Sequence, residues 1–183
     1  MNMVIIIVGA AGVFLVLWAI SCRRRLTDMD EDINNAMVRI GVQISARFDA
    51  LTALLDLTGG YAAHEAQMLI ETVKSHRSDI TVASTPDDIL RQEGVITKTL
   101  DHISMVAERY PDLKADENYT KCMNALNIYE KMVCTSCLIY NDSVTRLNRE
   151  LRRFPVSLIA RASGFRQRDY LVVVEDKADQ YEI

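Results

Sequence analysis

The residues best suited to chemistry are Cys122, Cys134 and Cys137, the last two within Cys134-Thr135-Ser136-Cys137. Two thiols separated by two residues have the spacing of a dithiol redox pair, and three cysteines joined by a histidine could hold zinc. Their setting argues against both. A reactive thiolate needs a helix N-terminus or a nearby cation, whereas this run falls mid-helix. Cys122 and Cys137 also occupy seam positions, where cysteine packs as a small hydrophobe. A metal- or thiol-dependent enzyme using Cys122, Cys134 and Cys137 is therefore the alternative reading. His64-Glu65 opens like a zinc-protease helix, but Met68 stands where the second histidine would be. His76 and His102 have no Cys or His at ligand spacing. There is no glycine-rich phosphate loop, and no Ser, Cys or Thr has the neighbours of a nucleophile. The expectation is a protein that is not an enzyme and takes no cofactor or metal.

The one concentrated charge feature is basic: Arg146, Arg149, Arg152, Arg153, Arg161, Arg166 and Arg168. A helix dipole favours basic residues near a C-terminus, which accounts for the first four. Arg161, Arg166 and Arg168 lie beyond the helix and need another explanation. At the other end of the chain, Met3 to Ser21 carries no charge and is dense in Val, Ile, Leu, Ala and Gly, and it stops at Arg23-Arg24-Arg25. A helix of that length covers about 30 Å of hydrocarbon. A secretory signal would place its positive charge before the apolar run, so the stretch reads as a retained transmembrane anchor over residues 3–21. Ala19-Ile20-Ser21-Cys22 loosely resembles a lipobox, but the n-region charge is missing and Ala stands where Leu is usual. Arginines after the span predict an N-terminus outside and the rest of the chain in the cytoplasm.

Beyond the anchor remain about 160 residues, enough for one self-supporting domain. The net charge of −4 is spread over interspersed acids and bases, so no broad basic field is offered to nucleic acid. Four cysteines are too few and too uneven for a disulfide framework, in keeping with a reducing compartment. Seven glycines and three prolines point to long helices joined by few turns.

Four helices must position the candidate residues. The first is expected from about 26 to 57, with Ile33, Met37, Ile40, Ile44, Phe48, Leu51 and Leu55 in one stripe and Gly59-Gly60 closing it. A second is expected from about 61 to 80, carrying Ala62, Ala66, Leu69, Ile70 and Val73, with Gly59-Gly60 either separating it from the first or kinking one continuous helix. Thr85-Pro86-Asp87-Asp88 starts the third, over 86–109: a hydroxyl cap, a proline needing no amide hydrogen, then acids against the positive helix end. Tyr110-Pro111 stops it. In the loop that follows, Leu113 can plug the bundle end and Asp116 or Asn118 can cap the next helix, while Asp112, Lys114 and Glu117 form a candidate partner surface. The fourth helix, 117–153, has an apolar seam of Tyr119, Cys122, Leu126, Tyr129, Val133, Cys137, Tyr140, Val144, Leu147, Leu151 and Phe154. Short connections make neighbours antiparallel, which predicts an all-α protein: a transmembrane helix followed by an antiparallel up-and-down four-helix bundle over 26–168. Tyr170 to Val174 is expected to lie extended against the bundle. Residues 169–183 form an acidic tail whose Tyr181-Glu182-Ile183 has the form of a strand-adding C-terminal peptide.

Three stretches together resemble the LemA family of membrane-anchored helical-bundle proteins. They are Val42-Gln43-Ile44 with Arg47-Phe48-Asp49 and Gly60-Tyr61-Ala62-Ala63-His64-Glu65; then Tyr110 to Tyr119; then Tyr140-Asn141-Asp142, Asn148, Arg153-Phe154-Pro155, Leu158-Ile159-Ala160, Gly164-Phe165 and Arg168-x-Tyr170. Departures mark a divergent member: the family usually has Trp at Met37, Asp at Gly41, a second basic residue near Phe48 and Pro at Thr52. The resemblance implies an anchored cytoplasmic domain without established catalysis, linked to membrane remodelling and membrane proteostasis.

The function expected is a membrane-anchored cytoplasmic scaffold or adaptor that binds protein partners at the membrane surface, with homo-oligomerisation left open. If the bundle helices alternate, the fourth returns towards the anchor and sets Arg161, Arg166 and Arg168 beside Arg23, Arg24 and Arg25. That basic rim would face anionic lipid, at about 1 kcal/mol per residue.

Overall fold

A sequence with no proline before Pro86 and no glycine between Gly12 and Gly41 has nothing to interrupt its first helix. In the computed structural model, which describes residues 2–172, that helix runs unbroken for 58 residues as α1, Asn2–Gly59. The expected anchor and first bundle helix are thus one element. The side chains of Asn2, Val4, Ile5 and Val8 fall outside the described residues, and among those described no helix is long and apolar enough to cross a membrane. After α1 come α2 (Ala63–His76), α3 (Pro86–Arg109), α4 (Pro111–Ala115), α5 (Glu117–Arg152) and α6 (Val156–Ala162). Among the described residues there is no strand, so the chain is all-α as expected.

The chain forms two compact units. One holds Asn35–Ile139 with Leu171, and it is a helical bundle. Here α1 and α2 are antiparallel: Arg77 Nη1 lies 2.7 Å from Asp49 Oδ1, and Ile80 packs on Gly41. A Cβ at Gly41 would stand 2.8 Å from both the Cβ and the carbonyl oxygen of Ile80, so this close approach requires glycine. The aspartate expected at position 41 from the family would not fit this packing. α2 and α3 are antiparallel as well, with Glu65 meeting Arg109 at one end and Gln92 reaching the Ser78 carbonyl at the other.

Helix boundaries follow local chemistry. The Thr85 hydroxyl accepts from the Asp88 amide while Asp88 Oδ2 accepts from the Thr85 amide, a reciprocal cap with Pro86 in the first turn. Asp116 Oδ1 accepts from the Asn118 amide at 2.7 Å and starts α5, and Leu113 is fully buried at the bundle end. α2 is shorter than expected, because Arg77 leaves the helix in extended backbone to reach Asp49 and Ser45. The α1 stripe from Ile33 to Leu55 is buried throughout.

The second unit holds the chain up to Asn34 with Tyr140–Tyr170. It contains two departures from expectation. α6 follows Pro155 where a bare arm was expected. Phe154, expected on the α5 seam, is 77% exposed, because α5 ends at Arg152 and the chain turns at 153–155 before the seam position is reached. Leu151 is only half-buried, whereas Leu126, Val133, Val144 and Leu147 are buried. Residues 173–183, including most of the expected acidic tail and its terminal peptide, lie outside the described residues.

Candidate functional site

The arginine-rich unit is built where α5 ends beside α1. Trp18, Ser21, Cys22 and Leu26 of α1 share a cavity of about 130 Å³ with Glu150 and Val156, which puts the start of α6 beside the end of the apolar stretch. Arg23, Arg24 and Arg25 are exposed, and Arg25 Nη2 lies 3.5 Å from Glu150, a nearly buried carboxylate that also meets Arg153 at 3.5 Å. Arg161 and Arg166 are exposed. Both basic groups belong to this unit, and the contact between them runs from Arg25 through Glu150 to Arg153.

Arg168 behaves differently from its neighbours. Its Nε and Nη2 donate to the two carboxylate oxygens of Asp30 at 3.0 and 3.1 Å, and Nη2 also donates to Asn34 Oδ1 at 3.4 Å. Two parallel charge-assisted bonds fix a guanidinium in a plane. The buried Asn148 holds the same residue by its backbone, donating to the Arg168 carbonyl at 2.9 Å and accepting its amide at 3.0 Å. Tyr140, whose hydroxyl is pushed up by burial, donates to the Asp169 carbonyl at 3.1 Å. Tyr140, Asn148 and Arg168 thus strap the C-terminal arm to the helices, a structural task that sequence reasoning assigned in part to lipid.

Of the sequence-proposed chemistry, the thiols are separated by environment. Cys134 is exposed, Cys122 half-buried and Cys137 buried. Burial, with the Glu93 and Cys134 charges adding to it, pushes the Cys137 thiol up to about 12, which leaves it protonated at neutral pH. His64, His76 and His102 are all exposed. Among the described residues, no group of three or more His, Cys, Asp or Glu side chains is placed to hold a metal ion. Asp112, Lys114 and Glu117 are exposed on and beside α4, with Glu117 also paired to Lys121 at 2.7 Å.

The bundle unit holds a polar centre that sequence reasoning missed. Arg47 is completely buried, forms an ion pair with Glu93 of α3, and lies 3.1 Å from Glu130 of α5 through Nη2. Among the described residues, Arg47 Nε and Glu93 Oε1 have no hydrogen-bond partner. The α1 stripe gave a warning sign, since Arg47 sits directly between the buried Ile44 and Phe48 and Leu51 positions; the two acids that neutralise it come from other helices and leave no local trace.

Arg47, Leu113, Tyr140, Asn148 and Arg168, all within the stretches that resemble the family, each close a core, a bundle end or the arm. The model of the LemA family matches residues 36–183. The chain belongs to the LemA family. No curated protein matches this LemA-family chain. The match begins at Ala36, so α1 residues 2–35 lie before the matched region.

Proposed function

We propose that this LemA-family chain is a membrane-anchored scaffold or adaptor, with residues 3–21 in the bilayer, the N-terminus outside and the bundle presenting partners' docking surface in the cytoplasm. One observation carries the reading. Ile6, Ile7, Val13, Phe14, Leu15, Val16 and Leu17 are all largely exposed on α1, uncovered by the other described residues, and Arg23-Arg24-Arg25 follow directly. An uncovered apolar run of that extent marks a surface that meets lipid or protein, and the arginines that follow favour the cytoplasmic leaflet. Family membership supports the same class of role.

In this reading the α4 corner, with Asp112, Lys114 and Glu117, is the partner surface, and homo-oligomerisation is one form the partnership can take. Alkaline extraction of membranes from cells expressing the full chain should leave it in the pellet, and a reporter at Ile183 should be active only if it works in the cytoplasm. A chain released by alkali, or a reporter active only outside, would overturn the anchor or its direction. Cross-linkers at Asp112, Lys114 and Glu117 should capture discrete products in membranes, while cross-linkers on the opposite helix faces should not.

The enzyme alternative requires a thiolate or metal at Cys122, Cys134 and Cys137, against which stands the raised Cys137 thiol. Stoichiometric zinc or iron in the purified chain, lost in Cys134→Ser with Cys137→Ser, would favour the enzyme.

A further inference from the structure

Phe154 and Leu158 are 77% and 60% exposed at the corner between α5 and α6, and no side chain of the described residues covers them. They are large, apolar and held in water by a fold that buries Ala160 and half-buries Val156 on other faces of the same short helix. Beside them is a cavity of about 350 Å³ whose lining includes Arg152, Ser157, Arg161, Phe165 and Gln167 and, among the described residues, contains no acid. Arg152 donates to Gln167 Oε1 at 3.1 Å, a neutral partner that aims the guanidinium without cancelling its charge. Arg149 and Arg153 share a second hollow with Arg152. Arg161 stands one turn from Leu158, so charge and apolar bulk are neighbours on one face of α6. The corner sits where Val156 and Glu150 meet Trp18, Ser21 and Cys22, at the end of the apolar stretch of α1.

We propose that the α5–α6 corner is a binding site for an anionic phospholipid, its phosphate held by Arg152 and Arg161 and its acyl boundary entered by Phe154 and Leu158. The inference rests on the anchor reading, since α1 brings the corner to the interface. An aromatic and an aliphatic side chain ringed by arginines is the composition of an interfacial element, in which apolar groups enter the headgroup boundary and cations meet the phosphates. Guanidinium suits the phosphate because its planar donors pair with two oxygens at once.

The test uses the full chain in vesicles of phosphatidylcholine with phosphatidylglycerol. Trp18 is the only tryptophan, so the native chain reports on the anchor, and Trp18→Phe with Phe154→Trp moves the indole to the corner. Lipid brominated near the top of its acyl chains should quench the corner indole about twofold, and quenching should fall when Arg152→Gln and Arg161→Gln are added or when phosphatidylglycerol is omitted. In the unsubstituted chain, trypsin should cut after Arg153 and Arg161 more slowly in the anionic vesicles than in neutral ones. An unquenched corner indole, or equal tryptic rates, with Trp18 of the native chain quenched, would overturn the lipid site and leave the anchor standing. An unquenched Trp18 would overturn the anchor and this site with it.

Discussion

In the bundle unit, Arg47 is sealed from water between Glu93 and Glu130. In the other unit, Arg161 and Arg166 stand in solvent. Removing a guanidinium from water is repaid only where carboxylates and hydrogen bonds replace its hydration, so a buried arginine is bound to fixed partners and to a structural role. An exposed arginine keeps its hydration and its field, and is available to a phosphate. Arg168 lies between the two cases: half-exposed, yet committed to Asp30 by two bonds. Seven arginines that look alike along residues 146–168 therefore divide by environment rather than by spacing.

The sharpest break of this comparison is Arg47→Met. It leaves Glu93 and Glu130 without their cation and should destabilise the bundle by about 3 kcal/mol, the scale for removing one partner of a buried pair. Adding Glu93→Gln and Glu130→Gln should recover much of that loss in denaturant unfolding. If Arg47→Met alone is neutral, the centre is not held by its charges. Next in size is Asn148→Ala, which strands the Arg168 amide and carbonyl and should cost about 2 kcal/mol. Hydrogen exchange should then accelerate through the arm from Phe165 to Leu171 more than in the bundle helices, and uniform acceleration would count against a local strap.

A smaller effect separates helix capping from both arginine groups. Thr85→Ala should cost about 1 kcal/mol through the lost cap of α3. The hydrogen bonds from the Thr85 backbone and then its side chain hold the Asp88 carboxyl below the usual aspartate range. A depressed folded value means that this contribution is present above the unfolded aspartate pKa and is lost as pH falls through the folded one. The acid side of the stability profile should therefore flatten in Thr85→Ala, which titration by NMR at Asp88 can check. The smallest change in stability belongs to Arg161→Gln with Arg166→Gln, within about 0.5 kcal/mol because both are exposed. A marked loss of stability in that pair would show that they, like Arg168, are structural.

Much of the architecture was legible from local patterns. Pro86–Arg109 matches the third expected helix because its start depends on four adjacent residues, Thr85 to Asp88, whose capping chemistry is local. The α1 stripe was legible because three- and four-residue steps report a buried helix face directly. Phe154 was misplaced because a periodic seam says nothing of where a helix stops, and α5 stops two residues earlier. The pairing of Arg168 with Asp30 was hidden, since its partner lies 138 positions away.

By itself the sequence determined the long helices, where Gly59 and Pro86 end or begin them, and which of their faces are apolar, because these depend on backbone sterics and on neighbours within a turn; the short α4 and α6 were read as a loop and an arm. It also carried the family, whose model matches residues 36–183. Only the tertiary structure decided which arginines are paired and which are open, which thiol is buried, and that Phe154 and Leu158 face outward beside a basic cavity. Those properties depend on desolvation and on partners from distant helices, and charge and burial at a point in space are set by everything that packs around it.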